Sequence, residues 1–183
     1  LHYVRTFVRL GTPLNKIGYF AFTKKAAGEA KTRMLENHPE LSNKDLKDNF
    51  RTLHSLAFWK LGYKKTEVMQ EEHYEDSEYF NLINSARVKD ITIEEEYNTD
   101  MYSQDLNKDI LYILRDEVNN YKESFYLKDF TDMIKRFTEK EELCPKYDVV
   151  FIDEAQDLSP IQWKMYDLLK KNSKHVILAQ YMI

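Results

Sequence analysis

The stretch YDVVFIDEAQDLSPIQW, Tyr147 to Trp163, drives an apolar run directly into Asp153, Glu154, Gln156 and Asp157, three of them acidic. YDVVFID reads as a strand buried on both faces, as in a parallel sheet. Carboxylates at the end of such a strand are costly unless they are paired, hydrated or holding a metal. In parallel α/β sheets, ligands bind beyond the carboxyl ends of the strands, so Asp153 and Glu154 are expected to project into that crevice. An Asp there suits a Mg²⁺ that bridges nucleotide phosphates. An adjacent Glu can orient or deprotonate an attacking water, since phosphoryl transfer needs positioning and charge stabilisation. Structurally idle acids at a strand end are the alternative that the residues alone leave open.

Working outward, SPIQ combines an N-cap at Ser159, Pro160 at the first helical position and Gln162 three residues after the cap. The helix should run to about Asn172, with HVILA as the next strand. Near the start, LHYVRTFVRL reads as the last turns of a helix with Leu1, Val4, Val8 and Phe7 inward, stopped by Gly11 and Pro13. IGYFAFT (Ile17–Thr23) is a compact apolar strand. KKAAGEAKTRMLEN follows as a helix burying Ala26, Ala27, Ala30 and Met34. Ser42 with Asp45 can cap another helix, and RTLHSLAFWKLG reads as a strand end or turn, then a short helix closed by Gly62.

Residues 64–99 are acidic and Tyr-rich with weak periodicity, as expected of short helices and loops. SQDLNKDILYILRDEVNNY predicts a helix with a stripe of Leu106, Ile110, Leu114, Val118 and Tyr121, and LKDFTDMIKRFTEK another with Phe130, Met133, Ile134 and Phe137 inward. Strands alternating with helices at both ends imply a parallel α/β sheet. The helical middle, 64–142, is expected to be an insertion between residues 1–63 and 143–183.

A chain of 183 residues with 43% hydrophobic content can build a real core and is not disordered. Its single Cys, Cys144, excludes an internal disulfide and fits a reducing compartment. No apolar run approaches the roughly 20 residues needed to span a bilayer, and no signal peptide opens the chain. The expectation is a soluble, intracellular (cytoplasmic) chain without a membrane partner, and its first residue, Leu rather than Met, hints at processing or truncation. Residues 1–65 carry 13 Lys and Arg against 5 Asp and Glu, whereas residues 66–117 carry 4 against 15. A basic first third can face phosphates; a plain solvated surface explains it equally.

FIDEAQDLSPIQW resembles motif II, the Walker B element, of the UvrD/Rep/PcrA-like branch of superfamily 1 DNA helicases. FAFTKKAAGEAKTRM resembles motif Ia of that family, TLHSLAF its motif Ib, and KDFTDMI the short helix that precedes motif II in many members. The resemblance implies a P-loop NTPase (RecA-like) domain, a parallel sheet flanked by helices, with an inserted, mostly helical subdomain. It implies Asp153 as the Mg²⁺ ligand, Glu154 as catalytic base for ATP hydrolysis, and Gln156 and Asp157 in a network linking the nucleotide to the DNA track. For Asp157 the alternative is simply a turn before the helix cap.

By the same resemblance Phe22, Thr23 and Lys24 approach single-stranded DNA, and Thr52, His54 and Ser55 contact its backbone. A hydroxyl and backbone N–H at a helix N-terminus bind phosphate without a sequence requirement. Phe22 can offer a stacking surface or fill the core, and a lone His is more often structural. Lys25, Lys31 and Arg33 are expected to be solvated. The implied partners are ATP, single-stranded DNA and single-strand/duplex junctions.

A motor of this kind also needs G-x-x-x-x-G-K-[ST] to hold phosphates, and none of Gly11, Gly18, Gly28 and Gly62 begins one. After HVILA the family continues into motif III, whereas this chain reads QYMI, and Gln180 takes no role. The expectation is a fragment of an ATP-dependent helicase or translocase that is inactive alone. The competing expectation is a non-catalytic lobe acting as a weak nucleic-acid-binding or protein-interaction module.

Overall fold

A computed structural model of the protein describes residues 2–69, 77–99 and 105–179. Leu1 of the expected first helix and Gln180 lie outside the described residues. Four strands, β1 (Ile17–Ala21), β2 (Phe50–Thr52), β3 (Tyr147–Ile152) and β4 (Ser173–Leu178), form one parallel sheet in the order β2-β1-β3-β4. The apolar run of the opening stretch occupies the interior position it predicts. β3 pairs with β1 through Val149 opposite Ile17 and with β4 through Val149 opposite His175. Val149, Val150, Phe151 and Ile152 are all buried, and each contributes roughly 1.5–3 kcal/mol by leaving water.

Helices cover both faces, as parallel sheets require. On one side α1 (His2–Arg9), α2 (Lys24–Asn37) and α3 (Asn43–Leu46) pack Val4, Met34 and Leu46 against Ile17, Phe50 and Phe151. On the other, α4 (Leu53–Lys60), α8 (Phe130–Thr138) and α9 (Pro160–Lys171) pack Leu56, Met133, Phe137 and Met165 against Phe20, Val150 and Ile152. Capping residues set the starts of these helices. The Thr23 and Thr52 side chains cap α2 and α4, Ser42 and Asp45 box α3, and Ser159 with Gln162 boxes α9 behind Pro160. Gly11 and Gly62 supply the left-handed turns that end α1 and α4.

Between α4 and α8 the chain builds α5 (Glu78–Lys89), α6 (Ile93–Thr99) and α7 (Lys108–Ser124). These have an apolar centre of their own, in which Leu82, Ile83, Ala86, Ile93 and Leu111 are buried. α8 packs instead on the sheet side, against α4 and α9. The buried seam of α7 differs from the expected stripe. Leu111 is fully buried and Leu114 and Val118 half-buried, whereas Ile110 and Tyr121 stay about 40% exposed. The seam ends on Lys122, only 5% exposed, a residue that hydrophobic periodicity assigns to solvent.

Lys122 is buried because it is paired. Arg87 of α5 binds Asp129 with two hydrogen bonds of 2.6 and 2.9 Å and Asp132 with one of 2.7 Å. Lys122 reaches the same carboxylates at 3.1 and 2.8 Å, and those carboxylates also form the capping box of α8. Two cations from α5 and α7 thus meet two anions at the start of a core helix, where the helix dipole also favours negative charge. Burial alone would raise the pKa of Asp129. The hydrogen bonds and charge of Arg87, with the charge of Lys122, outweigh it and hold the carboxyl well below the usual range.

Because that pKa is depressed on folding, its stabilisation is complete above the unfolded value of about 3.9 and is lost as pH falls through the folded one. Lys122→Met is therefore expected to cost about 3 kcal/mol in urea unfolding by leaving buried negative charge underpaired. Asp129→Asn should flatten the acid limb of the stability curve below about pH 4. Acid limbs of equal slope in the variant and the parent would remove the cluster from this account.

Candidate functional site

The end of β3 is built by three constraints. First, the ladder runs one residue further: the Asp153 N–H donates to the Phe20 carbonyl at 2.8 Å. Second, Ala155 is fully buried, and its N–H donates to the Ala179 carbonyl at 3.2 Å. Third, Glu154 joins the two in the left-handed region, at φ 54° and ψ 46°, which costs a non-glycine residue about 1–2 kcal/mol. The turn leaves Asp153 and Glu154 half-exposed just past the buried strand. Strain of this kind persists where the surroundings fix the backbone, and it concentrates at functional positions.

Both carboxylates have side-chain donors. The Tyr19 hydroxyl donates to Asp153 Oδ2 at 2.6 Å, and Gln156 Nε2 donates to Glu154 Oε2 at 2.5 Å. Asp157 is exposed in the following 3₁₀ turn (Ala155–Asp157), its N–H bonded to the Glu154 carbonyl at 3.0 Å. Among the described residues no group of three or more His, Cys, Asp or Glu converges as a metal site. A phosphate-bridging Mg²⁺ takes only one or two protein carboxylates and keeps its waters, so a single carboxylate at Asp153 fits that donor set. Cys144 is no rival nucleophile, since burial pushes its thiol up to about 11.

Lys24, Thr52, His54 and Ser55 line one cleft of about 340 Å³. Phe22 and Thr23 do not line it; both are exposed at the start of α2, Phe22 by 45%. Exposure answers the question of Phe22, which is not a core residue. Thr23 Oγ1 accepts from the Ala26 N–H and Thr52 Oγ1 from the Ser55 N–H, each at 3.1 Å. Each capping hydroxyl keeps its own O–H as a donor, Thr23 at an exposed position and Thr52 at a buried one that lines the cleft. Burial lowers the pKa of His54, so its ring is neutral at pH 7 and offers a hydrogen bond or a face instead of a charge.

The cleft also gathers residues that the sequence reading missed. Phe130, expected inward, is 52% exposed and meets His54 edge-to-face at 5.3 Å. It is the first residue of α8 and overhangs the core that Met133, Ile134 and Phe137 enter. Trp59 is 60% exposed on α4, with the Lys47 ammonium 5.9 Å from its ring centroid, and Lys65 adds a positive charge at the rim. Two exposed aromatics beside hydroxyls and ammonium groups suit a strand of stacked bases on a phosphate backbone. Helical periodicity gave no signal for Phe130, which it placed on the inward face, and nothing local marks Trp59 as exposed. Larger depressions flank α7, one of about 660 Å³, but hold none of the sequence-assigned site residues.

The strained turn gives a direct test. Glu154→Gly should unfold at the same temperature as the parent or higher, because Gly adopts the left-handed conformation without cost. Glu154→Val should melt below the parent in the same thermal scans, because a β-branched residue is accommodated at positive φ worse than an unbranched one. Equal stability of the two variants would mean that the turn is unstrained.

A family model described as the UvrD/REP helicase N-terminal domain matches residues 58–179, more than half of the chain. The matched stretch contains Asp153, Glu154, Gln156, Asp157, Trp59 and Phe130, and it begins after Thr52, His54 and Ser55. No curated protein matches the chain.

Proposed function

The chain belongs to the UvrD/REP helicase N-terminal domain family, and on that premise we propose that it is part of an ATP-driven motor on single-stranded DNA. The observation that carries this reading is the attachment of Asp153 to β1 through backbone and side chain. β1 is the strand whose end delivers Phe22, Thr23 and Lys24. A single rigid element therefore joins the carboxylate edge to the start of the DNA track.

At the carboxylate edge, Asp153 would hold the Mg²⁺ that neutralises phosphate charge during transfer. Glu154 acts as the base that takes a proton from the attacking water. The Gln156 amide occupies Oε2 and leaves Oε1 as the proton acceptor. Asp157 stands beside this pair, toward α9.

Along the track, the free O–H groups of Thr23 and Thr52 donate to phosphate, and Lys24 and Lys65 supply charge. Phe130 and Trp59 provide faces on which successive bases stack, a contact every base can make. Such binding orders a strand without reading its sequence. In this reading residues 1–63 and 143–183 form the nucleotide-facing lobe. Residues 64–142 are the insertion, with α8 returning to pack on that lobe.

Fluorescence anisotropy with labelled single strands tests the track. Phe130→Ala and Trp59→Ala should each weaken binding by about 1–3 kcal/mol, equally for oligo-dT and mixed sequences. Lys65→Ala should reduce the salt slope by about one. Unchanged affinity, or a loss confined to some sequences, would count against the stacking platform. The 183 residues contain no G-x-x-x-x-G-K-[ST], so the chain by itself should bind the strand without turning over ATP. DNA-stimulated turnover that Glu154→Gln abolishes would mean that other residues hold the phosphates.

A further inference from the structure

Tyr19 sits in the middle of β1, 6% exposed, with its ring stacked on Phe50 at a centroid distance of 5.4 Å and 16° between planes. Its hydroxyl makes the 2.6 Å bond to Asp153 Oδ2. A buried phenol needs an acceptor, and a half-buried carboxylate needs a donor; each group offsets the desolvation of the other. The bond length falls in the short range of charge-assisted O–H···O⁻ contacts. No other hydrogen bond to Asp153 Oδ1 or Oδ2 occurs among the described residues.

Resting on the reading of Asp153 as the metal ligand, we propose that Tyr19 is a positioning residue for that metal. Its hydroxyl pins Asp153 Oδ2 and leaves Oδ1 as the oxygen offered to the cation. The Asp153 main chain is already fixed by its bond to Phe20. The carboxylate would otherwise rotate about its Cβ–Cγ bond, a broad torsion with no sharp preferred angle. Packing against Phe50 holds the tyrosine ring, so the orientation of the ligand is set by the apolar core on the α2 side of the sheet. Partners that orient a metal ligand in this way typically change metal affinity by 10- to 100-fold when removed.

Tyr19→Phe keeps the ring and deletes only the hydroxyl, which separates positioning from packing. The probe is Mn²⁺ alone, with the free ion counted by electron paramagnetic resonance for the parent chain, Tyr19→Phe and Asp153→Asn. Thermal melts of all three monitor folding. Asp153→Asn should abolish the strongest Mn²⁺ site, and Tyr19→Phe should weaken that same site about 10-fold with a nearly unchanged melt. Full Mn²⁺ affinity in Tyr19→Phe beside a loss in Asp153→Asn would overturn the role of Tyr19 while sparing the metal assignment. Full affinity in Asp153→Asn would overturn both. If Tyr19→Phe fails to fold, near-ultraviolet difference spectra of the parent decide the matter. Mg²⁺ should perturb a tyrosine band, and the perturbation should vanish in Asp153→Asn. A silent tyrosine region would overturn the proposal.

Discussion

The structure depends on one buried strand having two neighbours. β3 is hydrogen-bonded on both edges and covered on both faces, so it has no freedom to slide or tilt. A one-residue slip would send every side chain to the opposite face. Whatever follows Ile152 therefore leaves the core at a fixed point and in a fixed direction. Asp153 and Glu154 inherit that fixed position.

The attachment of α5, α6 and α7 follows a different principle. α5, α6 and α7 bury a small apolar cluster among themselves. Their junction with α8 is made by the group of Arg87, Lys122, Asp129 and Asp132. Apolar surfaces tolerate sliding, whereas two cations locked onto two carboxylates that also cap a helix admit one arrangement. Lys164 of α9 and Asp90 at the end of α5 add a second ion pair across the same boundary. Charge here specifies orientation, while the hydrophobic clusters supply most of the burial.

At the acid edge, the tertiary structure holds in place what the local chain would not choose. Glu154 occupies a left-handed conformation because Ala155 is tied into the core on one side and Asp153 into the ladder on the other. Each carboxylate then receives one neutral donor, from Tyr19 or Gln156. Neutral donors leave the negative charge available, which an ion pair with Lys or Arg would have cancelled.

Much of this was legible in the sequence. The both-sides-buried reading of β3, the span of α2, the caps at Ser42 and Ser159, and the stops at Gly11 and Gly62 all rest on local chemistry, and local chemistry survives folding. The place of Asp153 and Glu154 at the strand end was legible because apolar residues running into acids is a pattern with few inexpensive solutions. Periodicity failed at Lys122 and Phe130, where tertiary packing overrules the local pattern: Asp129 and Asp132 at the start of the next helix pull a cation inward, and a helix that begins beyond the core leaves its first aromatic outside. Residues 1–65 carry a positive surplus that sequence could not aim, and only the fold brings Lys24 and Lys65 to one cleft beside Trp59, His54 and Phe130. By itself the sequence determined the strands, the helix ends and the identity of the acids, because these depend on neighbours a few residues away. The tertiary structure alone decided which hydroxyl meets which carboxylate and which aromatics remain exposed, because Tyr19 and Asp153 are 134 residues apart and no local pattern records a contact at that separation.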